Sequence, residues 1–385
     1  MSVGNINNKY TYNYDILKLF NSMNNTSNND NNKSFIFDVS SFTNAINLFY
    51  QGIANDYKVK HFDSKTNLKH ILAIAPKSMK CRKSGVFLRK GYEFTKDYEL
   101  QFDTNNVLDI VPTKNKDVER INKEVFEKFR NTWTLGDNVA FFDDVLDDIP
   151  LYIKDQSYFI SDWKYQFKLE ETSKEKFFSS YSNGKYDYLD LDMMHRDQCT
   201  LDTYDCEKLN CLMVSLPYNK CNNHSMLIIM PNEPHSKKQL IQFCNEKLTK
   251  TDVIAKFYDN KYSIVYDEIY FPKFNLETKW LLSNRYTTFD SDKNDDNYIL
   301  RQILNPKIPL TNISKDLIGF NYVDILSISN FINHEYGISV VGETDNTLVS
   351  DYAKDEPEIL KINKSFIFMI MNKDCLISKI GMFVG

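Results

Sequence analysis

Two short, uninterrupted apolar runs, Ser225 to Met230 and Ser365 to Met371, constrain the fold of this chain more than any other feature. Each is too short for an ordinary packed helix and far too short to cross a bilayer. A strand with one wet face alternates apolar and polar residues, whereas a continuous run belongs to a strand covered on both faces. The chain must therefore build a sheet inside other layers, and the remaining sequence must supply the cover.

Part of that cover is legible. Tyr12 to Met23 carries Tyr14, Ile16, Leu17, Leu19 and Phe20 at helical spacing. The Asn/Asp/Ser tract Asn24 to Lys33 follows with no apolar residue, and this tract and residues 1–9 are expected to be mobile. Phe35 to Phe37 predicts a short strand, with a helix beginning near Ser40 or Ser41, where a hydroxyl can cap the free amides. Ser84 to Phe94 and Gln101 to Val111 predict short strands or strand-helix units. Lys116 to Trp133 predicts a surface helix whose apolar side carries Ile121, Val125, Phe126 and Phe129. Leu151 to Phe167 alternates with aromatic residues, and so does Tyr262 to Phe274, which ends at Pro272. Helices lead and strands follow, the order of an α+β fold rather than a repeating βαβ one. With no internal repeat and no Pro/Gly-rich linker, residues 1–385 are expected to form one domain.

Charge narrows the partners. A net charge of −5 provides no basic field for phosphates, so nucleic acid and anionic membrane are not expected and another protein is. No N-terminal segment has the basic start, apolar core and small-residue cleavage site of a leader, which predicts residence in the cytoplasm or nucleus rather than secretion. Four of the seven cysteines lie between Cys199 and Cys221 without a CxxC pair, and are expected to be reduced, buried or edge-strand thiols rather than zinc ligands. The six histidines form no HExxH pair, and no GxSxG, Walker or GxGxxG motif is present. Neither acidic stretch, Asp137 to Asp148 or Asp290 to Asp296, follows an oxygen-ligand loop with its essential glycine. No catalytic residue, metal or cofactor is expected. Without a heptad stretch the chain is expected to be a monomer.

Several ordered segments resemble the serpin family. Gly85-Val86-Phe87-Leu88-Arg89-Lys90-Gly91-Tyr92 is similar to the strand carrying "LFVQKGY", and Ile121-Asn122 through Trp133 to the helix "INSWVEKQTNGKI". Tyr158-Phe159 with Trp163 and Phe167 resembles "NAIYFKGKWEKPF", and Met193-Met194-His195 resembles "VPMMH", a position that implies packing for His195. Leu209-Asn210-Cys211 to Pro231 is similar to "LNCKVLELPYKGDNVSMLIILP", Pro272 to Glu277 to "PKFKIE", and Ser365 to Gly381 to the C-terminal strands. The resemblance implies three β-sheets wrapped by helices and an exposed reactive-centre loop. In inhibitory members a protease cuts that loop, which then inserts into the central sheet and traps the acyl-enzyme. A leaderless serpin with an Asp-bearing loop and an AT-rich residue bias resembles those of large DNA viruses, poxviruses above all, although a protist would fit too.

Two regions depart from the family pattern. Asp38 and Val39 fall where the sheet-opening region has Ser-Pro, Ser41 is kept, and Asp155 stands where an Asn is usual; the corresponding His position falls within Asn330 to Asn333. Two carboxylates in a normally neutral network need partners or a raised pKa, which suggests a sheet that does not open. The loop region, 342–361, can be framed in two ways. If Gly342 keeps the glycine position of the hinge Gly342-Glu343-Thr344-Asp345-Asn346, then Glu343, Asp345 and Thr347 face inward on insertion, and two carboxylates oppose burial. Alternatively, Leu348-Val349-Ser350-Asp351 resembles the Leu-Val-Ala-Asp of the cowpox cytokine response modifier serpin, which presents Asp before the scissile bond and targets caspases. That frame leaves a hinge short by about four or five residues, or roughly 15 Å of strand.

Either frame predicts a failed trap, and hence a non-inhibitory protein-binding, virulence or scaffold factor acting on a host or viral protein. The alternative is an inhibitor or pseudosubstrate of a caspase- or granzyme-like enzyme through Leu348 to Asp351 and Tyr352, or of a trypsin-like enzyme through Lys354.

Overall fold

The two apolar runs lie side by side. Strand β13 (Phe366–Met371) pairs antiparallel with β8 (Ser225–Pro231), Phe368 standing opposite Ile228, and with β14 (Ile377–Phe383) on its other edge. All six residues of β13 and all seven of β14 are buried. Phe366, Phe368 and Phe383 pack with Phe274 at ring separations of 4.4 to 6.3 Å. Gly381 is required here, because a Cβ would stand 2.4 Å from the Phe368 ring and 2.7 Å from the Phe35 carbonyl oxygen.

The computed structural model describes residues 12–20, 33–61, 81–101, 106–129, 140–158, 161–182, 184–219, 224–250, 252–283, 308–318, 323–337 and 357–385. The stretches 1–9 and 24–32, expected to be mobile, lie outside the described residues. Residues 12–20 form helix α1. Then come β1 (Phe35–Asp38), α2 (Val39–Gly52), α3 (Asn55–His61), β2 (Cys81–Leu88), α4 (Lys96–Gln101), β3 (Asn106–Ile110), α5 (Asn115–Phe129) and β4 (Leu151–Tyr158). The later half is mostly strand: β5 (Lys168–Ser182), β6 (Lys185–Cys206), β7 (Cys211–Pro217), β8, β9 (Tyr262–Pro272), β10 (Phe274–Ser283), β11 (Val323–Asn333), β12 (Ile359–Lys361), β13 and β14. Between β8 and β9 stand α6 (Lys237–Phe243), a π-helical turn (Cys244–Leu248) and α7 (Val253–Asn260). One nine-stranded sheet runs β1-β14-β13-β8-β7-β6-β9-β12 with β5 paired to β6, and a five-stranded sheet runs β10-β11-β4-β2-β3. This is the α+β layering that the sequence predicts. Among the described residues no helix is long and apolar enough to cross a membrane.

Contacts divide the chain into two units, one drawn from Met1–Phe37, Phe159–Thr278 and Asn330–Gly385, the other from Asp38–Tyr158 and Lys279–Ser329. The second unit has its own core, in which Ile121 and Val125 of α5 bury against Phe87, Val107, Phe141, Phe142 and Tyr152.

Two local expectations are corrected. Helix α2 is capped by Asp38, whose side chain accepts from Ser41 N at 2.9 Å, rather than by a serine hydroxyl. A carboxylate one residue before the helix reaches the free amides and complements their partial positive charge. Strand β2 ends at Leu88 instead of reaching Phe94. No expectation covered the long β5–β6 hairpin, where residues 185–190 of β6 are exposed although Tyr186 and Tyr188 alternate with Lys185 and Asp187.

Candidate functional site

The second unit buries a polar seam where α2 meets β2, β4 and β11. Asp38, Ser41 and Asn44 recur at intervals of three along α2 and so share one face. On β4, Asp155 stands directly opposite Ser84 of β2. Ser327 and Ser329, two residues apart on β11, share a face of that strand. Asp38, Ser41, Asp155 and Ser329 are 0 % exposed.

The Asp155 carboxylate is held by three neutral donors. Ser41 Oγ donates to Oδ1 at 2.5 Å, and Asn44 Nδ2 and Ser84 Oγ donate to Oδ2 at 2.5 and 2.8 Å. Ser327 Oγ in turn donates to Ser41 Oγ at 3.0 Å, and Asp38 N donates to Ser329 Oγ at 3.1 Å. A buried carboxylate without such donors would cost several kcal/mol, roughly, so the hydroxyls and amide are what make Asp155 tolerable here. The predicted trio Asp38, Ser41 and Asp155 thus lies in one seam, but Asn44, Ser84, Ser327 and Ser329 complete it. Only the spacing of Asn44 from Ser41 signals its role in the sequence; the others become neighbours through folding. The β11 hydroxyls that reach the α2 end come from Ser327 and Ser329 rather than from the window Asn330 to Asn333. Asn333 instead donates from Nδ2 to Pro272 O at 2.7 Å.

In the first unit the end of β11 is tied down. Glu335 is 2 % exposed in its side chain, pairs with Lys273 Nζ at 3.0 Å and accepts from Thr172 Oγ1 at 2.8 Å. Burial pushes its carboxyl up, but hydrogen bonds from its own backbone, Lys273 and Thr172 hold it below the usual range. Trp163 donates from Nε1 to His334 O at 3.1 Å and stacks on Tyr218 at 4.3 Å. Gly337, at φ +97, follows directly; a Cβ there would stand 2.5 Å from Ser161 O and 2.6 Å from Trp163 N, so only glycine fits. The described chain stops at Gly337 and resumes at Pro357, beyond which β12 pairs parallel with β9. Gly342, Glu343, Thr344, Asp345, Asn346, Leu348, Val349, Ser350, Asp351, Tyr352 and Lys354 all lie outside the described residues.

His195 sits against Tyr270 at 4.7 Å between ring centroids, with Nδ1 2.5 Å from Glu171 Oε2. Glu171, His195 and Asp197 could together face a metal ion, yet Lys168 Nζ already bridges the two carboxylates, at 2.7 Å from Glu171 and 2.5 Å from Asp197.

Comparison with known proteins agrees with this architecture. The model of a family described as "Serpin (serine protease inhibitor)" matches residues 59–384. An uncharacterized serpin-like protein of fowlpox virus (strain NVSL) is 27% identical over 338 residues, covering 86% of this chain and 82% of the relative. Among solved structures, Serpin48 of the insect Tenebrio molitor superposes with TM-score 0.68 at 15% identity, covering 100% of both chains. Human thyroxine-binding globulin complexed with its hormone gives 0.70 at 13%, covering 98% of this chain and 99% of that one. Mouse protein-Z dependent protease inhibitor gives 0.69 at 16%, with coverage of 98% and 96%. At such identities the structural likeness carries the fold alone.

Proposed function

The chain belongs to the serpin family, whose members are mostly protease inhibitors rather than catalysts, and from that premise we propose that it presents Leu348-Val349-Ser350-Asp351 to a protease that cuts after aspartate, acting as inhibitor or pseudosubstrate. The observation that carries this reading is the position of Gly337. At φ +97 and wedged against Ser161 and Trp163, it is the first glycine after β11 and stands five residues before Gly342, so the hinge is counted from it.

Two consequences follow from the count. The fourteen residues from Ile338 to Asp351 reach about 46 Å when extended, at ~3.3 Å each. That exceeds the roughly 36 Å of an eleven-residue strand such as β11, and the hinge is no longer short. Moving the frame by an odd number also exchanges the two faces of an inserted strand. The inward residues become Ile338, Val340, Gly342, Thr344 and Asn346, while Glu343 and Asp345 turn to solvent. No carboxylate then opposes burial.

Part of the seam survives a parting of the sheet. Ser41 and Asn44 on α2 and Ser84 on β2 keep their hydrogen bonds to Asp155 when β11 parts from β4. The parting would break the Ser327–Ser41 and Asp38–Ser329 hydrogen bonds, each worth about 1 kcal/mol. This reading has the chain acting in the cytoplasm or nucleus, where caspase- and granzyme-like enzymes are met.

A second reading, the non-inhibitory protein-binding factor, is favoured by the buried carboxylates Asp38 and Asp155 in a seam that the family keeps neutral. One experiment separates the two. Incubated with a caspase- or granzyme-like enzyme, the protein should yield an adduct that survives denaturing gels and is lost on Asp351→Ala, and cleaved chain should melt tens of degrees higher. Cleavage with neither adduct nor change in melting temperature supports the second reading, and resistance to every aspartate-cleaving protease removes the first.

A further inference from the structure

Cys206 and Cys211 are directly opposed across the antiparallel pair formed by β6 and β7. Residues in opposed positions of such a pair have Cα atoms about 4.5 or 5.5 Å apart and side chains on the same face. Both separations lie within the span that a disulfide bridges. The four-residue turn between them is closed by hydrogen bonds from Leu209 N to Cys206 O at 3.1 Å and from Asn210 N to Glu207 O at 3.1 Å. Asn210 takes the left-handed conformation, φ 55, that lets the chain reverse.

The turn is also braced from outside. Asn232 N donates to Asn210 O at 3.1 Å, and Lys247 Nζ donates to Leu209 O at 3.1 Å. Both thiols are free and buried, at 1 % and 0 % exposure. The sequence spacing alone, Cys-x4-Cys without a metal signature, gives no reason to pair these two among seven cysteines.

We propose that Cys206 and Cys211 form a reversible cross-strand disulfide, with a small-molecule disulfide such as oxidised glutathione as the oxidant. One cysteine thiolate attacks a sulfur of the reagent and expels one of its thiolates. The second cysteine then displaces the other, closing the Cys206–Cys211 bond. Two protons and two electrons leave the protein and end on two molecules of reduced thiol. Burial, with the Cys206 sulfur beside it, pushes the Cys211 thiol up to about 12, so thiolate is scarce while the hairpin is closed. Exchange therefore passes through local opening of the turn and accelerates in mild denaturant. Once formed, the bond staples the β6–β7 turn, and the remaining cysteines stay outside the reaction.

The test uses the full chain equilibrated in glutathione buffers from fully reduced to fully oxidised, with and without mild urea, then alkylated and digested with trypsin without reductant. Lys208 lies between the two cysteines, so cleavage there should leave two peptides joined by sulfur, lighter by two hydrogen atoms than the separate thiols. The linked pair should appear with rising oxidised fraction, sooner in urea, and vanish on reduction. In Cys206→Ser, Cys211 should be alkylated at every poise. Should that variant misfold, the peptide map of the unaltered protein still decides. Full alkylation of both cysteines at the most oxidising poise, or linkage of either one to a different cysteine, would overturn the proposal.

Discussion

Lys154 and Asp155 are consecutive residues on β4, 4 % and 0 % exposed, and they occupy opposite environments. Successive strand residues face opposite ways, so the two charges do not meet as an ion pair despite being neighbours in sequence. Asp155 enters the hydroxyl-lined seam with three hydrogen-bond donors. The Lys154 amine enters the aromatic core under α5, donating to Phe141 O and lying 5.0 Å from the ring centres of Phe141 and Phe142. The carboxylate keeps donors that replace water. The ammonium loses water mainly to ring faces and one carbonyl, and burial lowers its pKa to about 8. Burial depth is nearly the same on the two faces; the supply of hydrogen-bonding groups differs.

The largest effect expected from breaking this contrast is at Asp155. Asp155→Ala strands the Ser41, Asn44 and Ser84 donors together and should lower unfolding stability by about 3 kcal/mol, read from the urea midpoint. Asp155→Asn keeps an acceptor and should cost about 1 kcal/mol. Equal losses for the two would mean that the carboxylate's own hydrogen bonds do not matter.

Lys154→Met should run the other way, leaving stability unchanged or raised by about 1–2 kcal/mol at neutral pH, because an apolar side chain replaces a desolvated charge. Its signature is in the pH dependence. The folded pKa, about 8, lies below the unfolded value near 10.5, so between them the unfolded chain holds the proton that the folded chain has released. Stability then rises with pH through that window. The gain should total roughly 3 kcal/mol in the native sequence and be missing from Lys154→Met. Parallel profiles for the two proteins would show that the amine keeps its ordinary affinity for protons.

Smallest should be Ser327→Ala, which removes one neutral hydrogen bond to Ser41 and should cost about 1 kcal/mol. If the loop inserts beside β11, the same change should speed adduct formation while barely moving the melting temperature of the uncut protein.

Much of the fold was legible in particular residues. The runs at β8 and β13 announced doubly covered strands, the spacing of Ile121 and Val125 announced α5, and the ordered motifs from Gly85 to Gly381 announced the family. The candidate site was less so. Asp38, Ser41 and Asp155 could be picked out as departures from a pattern, but Ser84 and Ser327 could not. The sequence offered Gly342 or Leu348 to Asp351 as the frame of the loop and gave no sign of Gly337, whose fit against Ser161 and Trp163 depends on the folded chain.

The division has one physical cause. Helix and strand periodicity is written in residues a few positions apart, so local pattern was enough to mark the buried strands β8 and β13, the surface helix α5 and the family they belong to. Whether a buried charge is tolerated depends on groups far away in the chain, as with Ser41, Asp155 and Ser327. Whether two cysteines can bridge depends on strand register, as with Cys206 and Cys211. Those contacts exist only once the sheets are paired, and there the tertiary structure alone decided.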